Sequence, residues 1–450
     1  MLLVIDWSSV GIKTLQFILS FSILVTLHEL GHFITARWFK CRVEKFYLFF
    51  NPWFSLWKKK VGETEYGVGW VPFGGYVKIS GMIDESMDKE QMKQPPQPFE
   101  FRSKPAWQRL IIMLAGIIVN LILGFLIYAM MLWHWGEQYL PTNKMTFGIA
   151  ADSLAQTIGL KNGDFILTAD GQYIDKFENL QRSIVLNSVK TLQISRGGKQ
   201  MNIVIPDDFA GNLIHFKDLN FISARVPFGG IDSIPSDTTV AAKAGLKKGD
   251  KIIAVNDSAI TYFDEFKTAM IKNRNKDVTL TVLKNNDTNK ISIHVPETAV
   301  IGIITKNNPD SIFEMKHIDY SFLQSIPAGF TKSGETLQSY WLQLKLLFSG
   351  KVNPNESLGS VFTIGSLFAD DWNWPRFWSL TAFFSLVLAI MNLLPIPGLD
   401  GGHALFTLVE MITGRKPSDK FMEYAQMVGM VLLIGLMAYA VGLDIFRMFK

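Results

Sequence analysis

His28-Glu29-Leu30-Gly31-His32 sets two imidazoles four residues apart with a carboxylate between them. On a helix that spacing puts both rings on one face, within reach of a single metal ion. The intervening glutamate is then placed to take a proton from water at that ion. The flanks are apolar: Phe17 to Leu27 is broken only by Ser20, Ser22 and Thr26, and Phe33-Ile34 follows the second histidine. Ionisable groups are costly at membrane depth and rarely lack a purpose there. The pattern predicts a zinc peptidase centre within the bilayer.

A catalytic zinc takes three protein ligands and leaves one position open. The strongest further ligand beside an apolar segment is Asp400, in Asn392-Leu393-Leu394-Pro395-Ile396-Pro397-Gly398-Leu399-Asp400-Gly401-Gly402-His403. Its prolines lack backbone N–H groups and interrupt regular helix. Such backbone is tolerated at membrane depth only where protein or a water cavity covers it. The expectation is one Zn2+ ion on His28, His32 and Asp400, with Glu29 as general base. His403 is left in a supporting or structural role, since three ligands are already supplied. Two imidazoles and a carboxylate favour zinc, although affinity order alone leaves other divalent ions open.

Membrane spans must position these groups. The chain has 450 residues, room for about three domains. Hydrophobic residues make up 48 % of it and its mean hydropathy is +0.19, both high for a soluble protein. Four segments read as transmembrane helices: about 15–38, 110–133, 377–391 and 425–443. The first runs into the metal motif without a basic leader or a small-residue cleavage site, so it reads as a retained span. Arg37, Lys40, Arg42, Lys45 and Lys58-Lys59-Lys60 follow span one, and Arg102, Lys104 and Arg109 precede span two. The excess of basic residues places that loop in the cytoplasm. Span one and span three then both end on the cytoplasmic side, at one depth. The net charge of +4 comes with no long basic patch, which argues against nucleic acid. Cys41 is the single cysteine and reads as a free structural thiol.

The polar region between spans two and three holds a repeat. Ala155, Gly159, Leu160, Lys161, Gly163, Asp164 and Ile166 recur 86 residues later as Ala241, Gly245, Leu246, Lys247, Gly249, Asp250 and Ile252. Period-two stretches such as 191–195 and 278–282 predict short strands. The pattern resembles the core of PDZ domains, placed at 140–212 and 224–298, on the extracytoplasmic side. The flanking assignments are 1–139 and 375–450 for the two parts of the membrane domain and 299–374 for an amphipathic connecting region. Within that region 320–349 reads as a helix with an apolar stripe of Leu337, Trp341, Leu344 and Phe348. Two placements suit it: along the outer membrane surface, or packed on the second repeat.

Hydrolysis needs an extended substrate, because a helix hides its carbonyls in internal hydrogen bonds. The glycine-rich, strand-prone stretch 66–78, with Gly74, Gly75 and Tyr76, suits this: an exposed strand edge can pair with an unwound helix. A hairpin that only packs on the spans is the plainer reading. Asn392 carries an amide suited to freed substrate backbone, whereas Asn120 reads as a helix–helix hydrogen bond within span two.

The chain resembles the site-2 protease family of intramembrane zinc metalloproteases. The likeness rests on H-E-x-x-H in span one, the paired PDZ-like repeats and N-x-x-P-x-P-x-L-D-G-G at span three. It is nearest to the bacterial four-span type that cleaves membrane-bound anti-sigma factors. The resemblance implies zinc ligation by His28, His32 and Asp400, water activation by Glu29 and substrate binding by Asn392. It also implies that G-x-x-P-x-G-G-Y-V-K here forms the family's membrane-associated β-loop. The family's G-P-V before span three is Gly359-Ser360-Val361 in this chain. The expected architecture is a polytopic α-helical membrane protein with four transmembrane helices, that β-loop and two extracytoplasmic β-rich PDZ-like domains. The expected substrates are single-span membrane proteins, such as anti-sigma factors or signal-peptide remnants, cut in a bacterial inner membrane. The PDZ-like domains are expected to screen them, with peptide ligands of their own possible. A membrane scaffold and a metal transporter using the same ligands are the competing readings.

Overall fold

The computed structural model describes residues 7–82, 95–186, 189–215, 221–284, 287–305, 309–350, 355 and 358–448. They fall into two units: Met1–Gly136, Asp319–Leu344 and Ser357–Lys450 in one, Glu137–Ile318 and Lys345–Glu356 in the other.

The principal helices of the first unit are, in chain order, α1 (Trp7–Trp38), α2 (Ala106–Trp135), α3 (Phe322–Phe348, of which the part up to Leu344 belongs to this unit), α4 (Trp374–Leu393), α5 (Asp400–Thr413) and α6 (Asp419–Met448). Of these, α1, α2, α4 and α6 are long and apolar enough to cross a membrane. Their ends follow local chemistry. Pro105, which has no N–H to leave unpaired, precedes α2, and Gly136 at φ 68° stops it. Asn373 accepts the Arg376 N–H to start α4, and the Leu394-Pro395 step ends it. The few polar residues of the spans turn into the bundle, where they pair. Ser20 and Thr381 share a hydrogen bond of 2.9 Å, and Gln16 donates to the carbonyls of Ala369 and Asp371.

Residues 322–348 form α3, whose ring contacts are with α2 and α4. Phe322, Phe330 and Tyr340 of α3 meet Trp133, Phe125 and Phe383, with ring centroids 5.5, 6.1 and 6.2 Å apart. The helix therefore lies along α2 and α4. Its buried residues are Ser325, Gly329 and Ser333, spaced by four, with Gly329 against the Ala129 backbone. Small residues let helix backbones approach closely where lipid removes the hydrophobic drive between them. Trp341, from the apolar stripe, is 57 % exposed.

Between α1 and α2 the chain forms a four-stranded sheet in the order β2-β3-β1-β4, from β1 (Val43–Phe50), β2 (Trp57–Val61), β3 (Thr64–Val68) and β4 (Val71–Ile79). β1 is parallel to β3 and antiparallel to β4, which leaves β4 as an edge. The 66–78 stretch is thus half of a larger sheet rather than a lone loop. Ser360 occupies the place of the family proline. It caps the short helix Val361–Ser366 and donates to Asp444 of α6 at 2.6 Å.

The second unit is rich in β-strands in two similar sets. Phe165–Ala169, Thr191–Arg196 and Lys199–Val204 form one antiparallel sheet, with helix Phe177–Leu186 in the first connection. Lys251–Val255, Asp277–Lys284 and Asp287–His294 repeat it, with helix Phe263–Lys272 and the added strand Ser258–Ala259. The repeated apolar positions are buried: Ala155, Leu160 and Ile166 in one set, Ala241, Leu246 and Ile252 in the other. The repeated aspartates close the preceding turns. Asp164 accepts the Lys161 N–H and pairs with Arg196, while Asp250 accepts the Lys247 N–H and pairs with Lys284. Ile222–Ala224 pairs with Ile149–Ala151, and Ile304–Thr305 with Ile231–Ser233. Arg225 lies 3.7 Å over the Tyr262 ring and bonds Asp264 and Glu265, and Asp264 also accepts from Asn162.

Candidate metal centre

Helix α1 presents His28 and His32 on one face with ring centroids 4.9 Å apart, and both are buried. Asp400 arrives from the first turn of α5, after a turn that its sequence forces. Pro395 and Pro397 end helical hydrogen bonding, and Gly398 adopts φ 101°. A Cβ on Gly402 would sit 2.5 Å from the Ile396 carbonyl oxygen, so only glycine lets α5 restart this close to the loop. Gly429 of α6 likewise makes room for the Pro397 carbonyl.

Three donor atoms converge. His28 Nε2 and His32 Nε2 lie 3.1 and 3.3 Å from Asp400 Oδ2, and 3.3 Å from each other. Ligands about 2.0–2.1 Å from a tetrahedral zinc stand about 3.3 Å apart. The triangle therefore has the edges of one face of a zinc tetrahedron. The donor chemistry fits as well. His32 Nδ1–H donates to the Ile112 carbonyl at 2.7 Å, which leaves a lone pair on Nε2. Asp400 Oδ2 is buried without a hydrogen-bond partner. Facing lone pairs in a buried site need a cation between them.

The two histidines rest on α2. A Cβ on Gly116 would lie 2.6 Å from His28 Cε1 and closer still to His32 Nε2. One turn on, the Asn120 amide stands 3.2 Å from His28 Nδ1. Asn392 approaches the same ring from α4, 3.4 Å from Nε2.

Glu29, His32, Asp400 and His403 open onto a cavity of about 390 Å³. Gly75, Tyr76, Val77, Lys78 and Ile79 of edge strand β4 form another part of its wall, and Gln426 of α6 another. Of the residues expected to bind substrate, Gly75 and Tyr76 line this cavity. Gly74 turns at φ 88° against the Phe50 ring, and Asn392 sits at His28. Gly116 and Gln426 were not among the expected site residues, and the helix–helix hydrogen bond expected of Asn120 is made to His28 itself. The available signal was the pair Gly116 and Asn120, four apart on one face of an apolar span.

With this geometry in place, comparison with known proteins is decisive. The model of Peptidase family M50 matches residues 16–436. The chain belongs to peptidase family M50. Relatives of this M50 peptidase extend over almost the whole chain. The regulator of sigma E protease of Haemophilus influenzae is 28 % identical over 96 % of this chain and 98 % of its own. The protease RseP of Yersinia pestis is 26 % identical over the same shares. A Neisseria meningitidis relative with a provisional zinc-metalloprotease name is 28 % identical over 96 % of this chain and 99 % of its own. The protein is a zinc metalloendopeptidase of the membrane-embedded site-2 protease type. Of the three competing readings, family membership selects the peptidase.

The packing of Gly116 predicts that Gly116→Ala displaces both imidazoles. Zinc content of the purified M50 peptidase, measured by atomic emission, should fall well below that of wild type at unchanged helix content. Full zinc retention would contradict the contact.

Proposed function

We propose that this protein performs regulated intramembrane proteolysis, cutting single-span membrane proteins at a zinc site held by His28, His32 and Asp400. The observation that carries the reading is the triangle of donor atoms, 3.1, 3.3 and 3.3 Å on its sides, between helices apolar enough to span a membrane. A zinc ion bound there supplies Lewis-acid polarisation of the scissile carbonyl and a water of lowered pKa, near about 7. Glu29, which opens onto the same cavity, takes the proton of the attacking water and delivers it to the leaving amine. Glu29 suits that role because it neighbours a ligand without belonging to the donor triangle.

Edge strand β4 receives the substrate. A transmembrane helix must unwind before its carbonyls are open to attack, and an unpaired strand edge takes up the freed N–H and C=O groups. Gly75 and Tyr76 stand on the cavity side of that role. Gly74 shapes the strand, and Asn392 supports the site through His28. The name of the Haemophilus relative points to regulators of sigma factors as a substrate class. Membrane-bound anti-sigma factors and signal-peptide remnants are accordingly the proposed substrates.

We place the protein in a bacterial cytoplasmic membrane, with the site towards the cytoplasm. The wholly exposed strand β2, which carries Lys58, Lys59 and Lys60, supports this orientation. Residues 1–139 and 375–450 act as the membrane domain, 140–212 and 224–298 as extracytoplasmic PDZ-like domains, and 299–374 as their connection. The PDZ-like pair screens substrates by size, with peptide capture possible on its strand edges. The links from Asn162 and Arg225 to Asp264 and Glu265 favour one stiff body over two loose ones.

Two experiments check these roles. Purified Glu29→Gln should lose cleavage of a detergent-solubilised single-span peptide by about 100-fold or more while keeping its zinc. Cleavage near the wild-type rate would remove Glu29 from the chemistry. Deleting residues 140–298 should let long, uncut membrane substrates be cleaved; if only short ones are still cut, the screening role is wrong.

A further inference from the structure

Asn120 is an amide in the middle of an apolar span, 1 % exposed, with one end against a zinc-ligand candidate. Its nitrogen position lies 3.2 Å from His28 Nδ1, and its oxygen is buried with no hydrogen-bond partner. The two ends of an amide have nearly the same shape, so hydrogen-bond chemistry decides which end faces the ring.

That chemistry is constrained by the opposite side of His28. Nε2 points to Asp400 Oδ2 at 3.1 Å and to His32 Nε2 at 3.3 Å. To ligate an ion there, Nε2 must carry the lone pair, and a neutral imidazole then carries its proton on Nδ1. An Nδ1–H needs an acceptor, and the Asn120 nitrogen cannot be one. With the amide turned, Oδ1 receives that proton and the NH2 group takes the other buried position. The other tautomer puts the proton between Nε2 and Asp400 and blocks ligation. His32 already follows the first pattern, its Nδ1–H donating to the Ile112 carbonyl.

We propose that Asn120 is a positioning residue for His28: its amide oxygen accepts the Nδ1–H and fixes Nε2 as the metal-facing donor. Helix α2 thus sets both histidines, one through a backbone carbonyl and one through a side-chain amide. The proposal rests on the ligand set given above.

The test is zinc affinity of the full-length protein in detergent, by competition with a chromophoric chelator, together with the visible spectrum of the cobalt-substituted form. Asn120→Leu keeps the volume and removes the acceptor. Asn120→Asp can only accept at Nδ1. Asn120→Leu should bind zinc about 10–100-fold more weakly. Asn120→Asp should stay near wild-type affinity and keep the tetrahedral cobalt bands. Wild-type affinity in Asn120→Leu overturns the proposal, and so does a loss in a folded Asn120→Asp, which decides the matter alone if the leucine variant does not fold. A wild type that takes up no zinc overturns the ligand set itself, a separate result.

Discussion

Two imidazole nitrogens and a carboxylate oxygen brought to about 3 Å from one another, among apolar helices, form an arrangement that opposes itself. With lone pairs on all three, each atom presents electron density to the other two in a largely buried site. A shared cation makes that cluster favourable. The rest of the membrane unit follows from meeting that requirement in lipid, where hydrophobic burial offers little to hold helices together.

The solution is close packing by small residues. Gly116 brings α2 against both histidines, Gly402 lets α5 begin beside the broken end of α4, and Gly429 lets α6 press on the Pro397 carbonyl. The same device seats α3 on α2 through Ser325, Gly329 and Ser333. A catalytic group held this way tolerates little movement. The sheet contributes differently: β4, at the end of the strand order, forms part of the cavity wall. A close-packed donor set and an edge strand thus share one cavity.

The signals that mark the candidate metal site are local. The spacing of His28 and His32 is fixed by helical periodicity, and the prolines and glycines around Asp400 mark a turn whatever surrounds it. The four spans were legible from composition, and the repeated aspartates from self-similarity. The larger sheet was hidden because β1 alternates poorly and β2 is mostly lysine. The packed face of α3, Ser325, Gly329 and Ser333, carries no apolar signal. An apolar stripe marks the buried side of a helix in water, but beside lipid the buried side is the one with small residues. Gln426 was hidden because an amide alone carries no spacing rule. Its partner is set by the fold alone.

The donor atoms on α1 and at the start of α5 are placed to share a single ion. The most direct measurement is zinc K-edge X-ray absorption of the purified protein. One zinc per chain is expected, with a nitrogen/oxygen shell at about 2.0–2.1 Å, scattering from two imidazoles, and loss of that shell in Asp400→Ala. A third imidazole in the spectrum, or a zinc environment unchanged by Asp400→Ala, would contradict it.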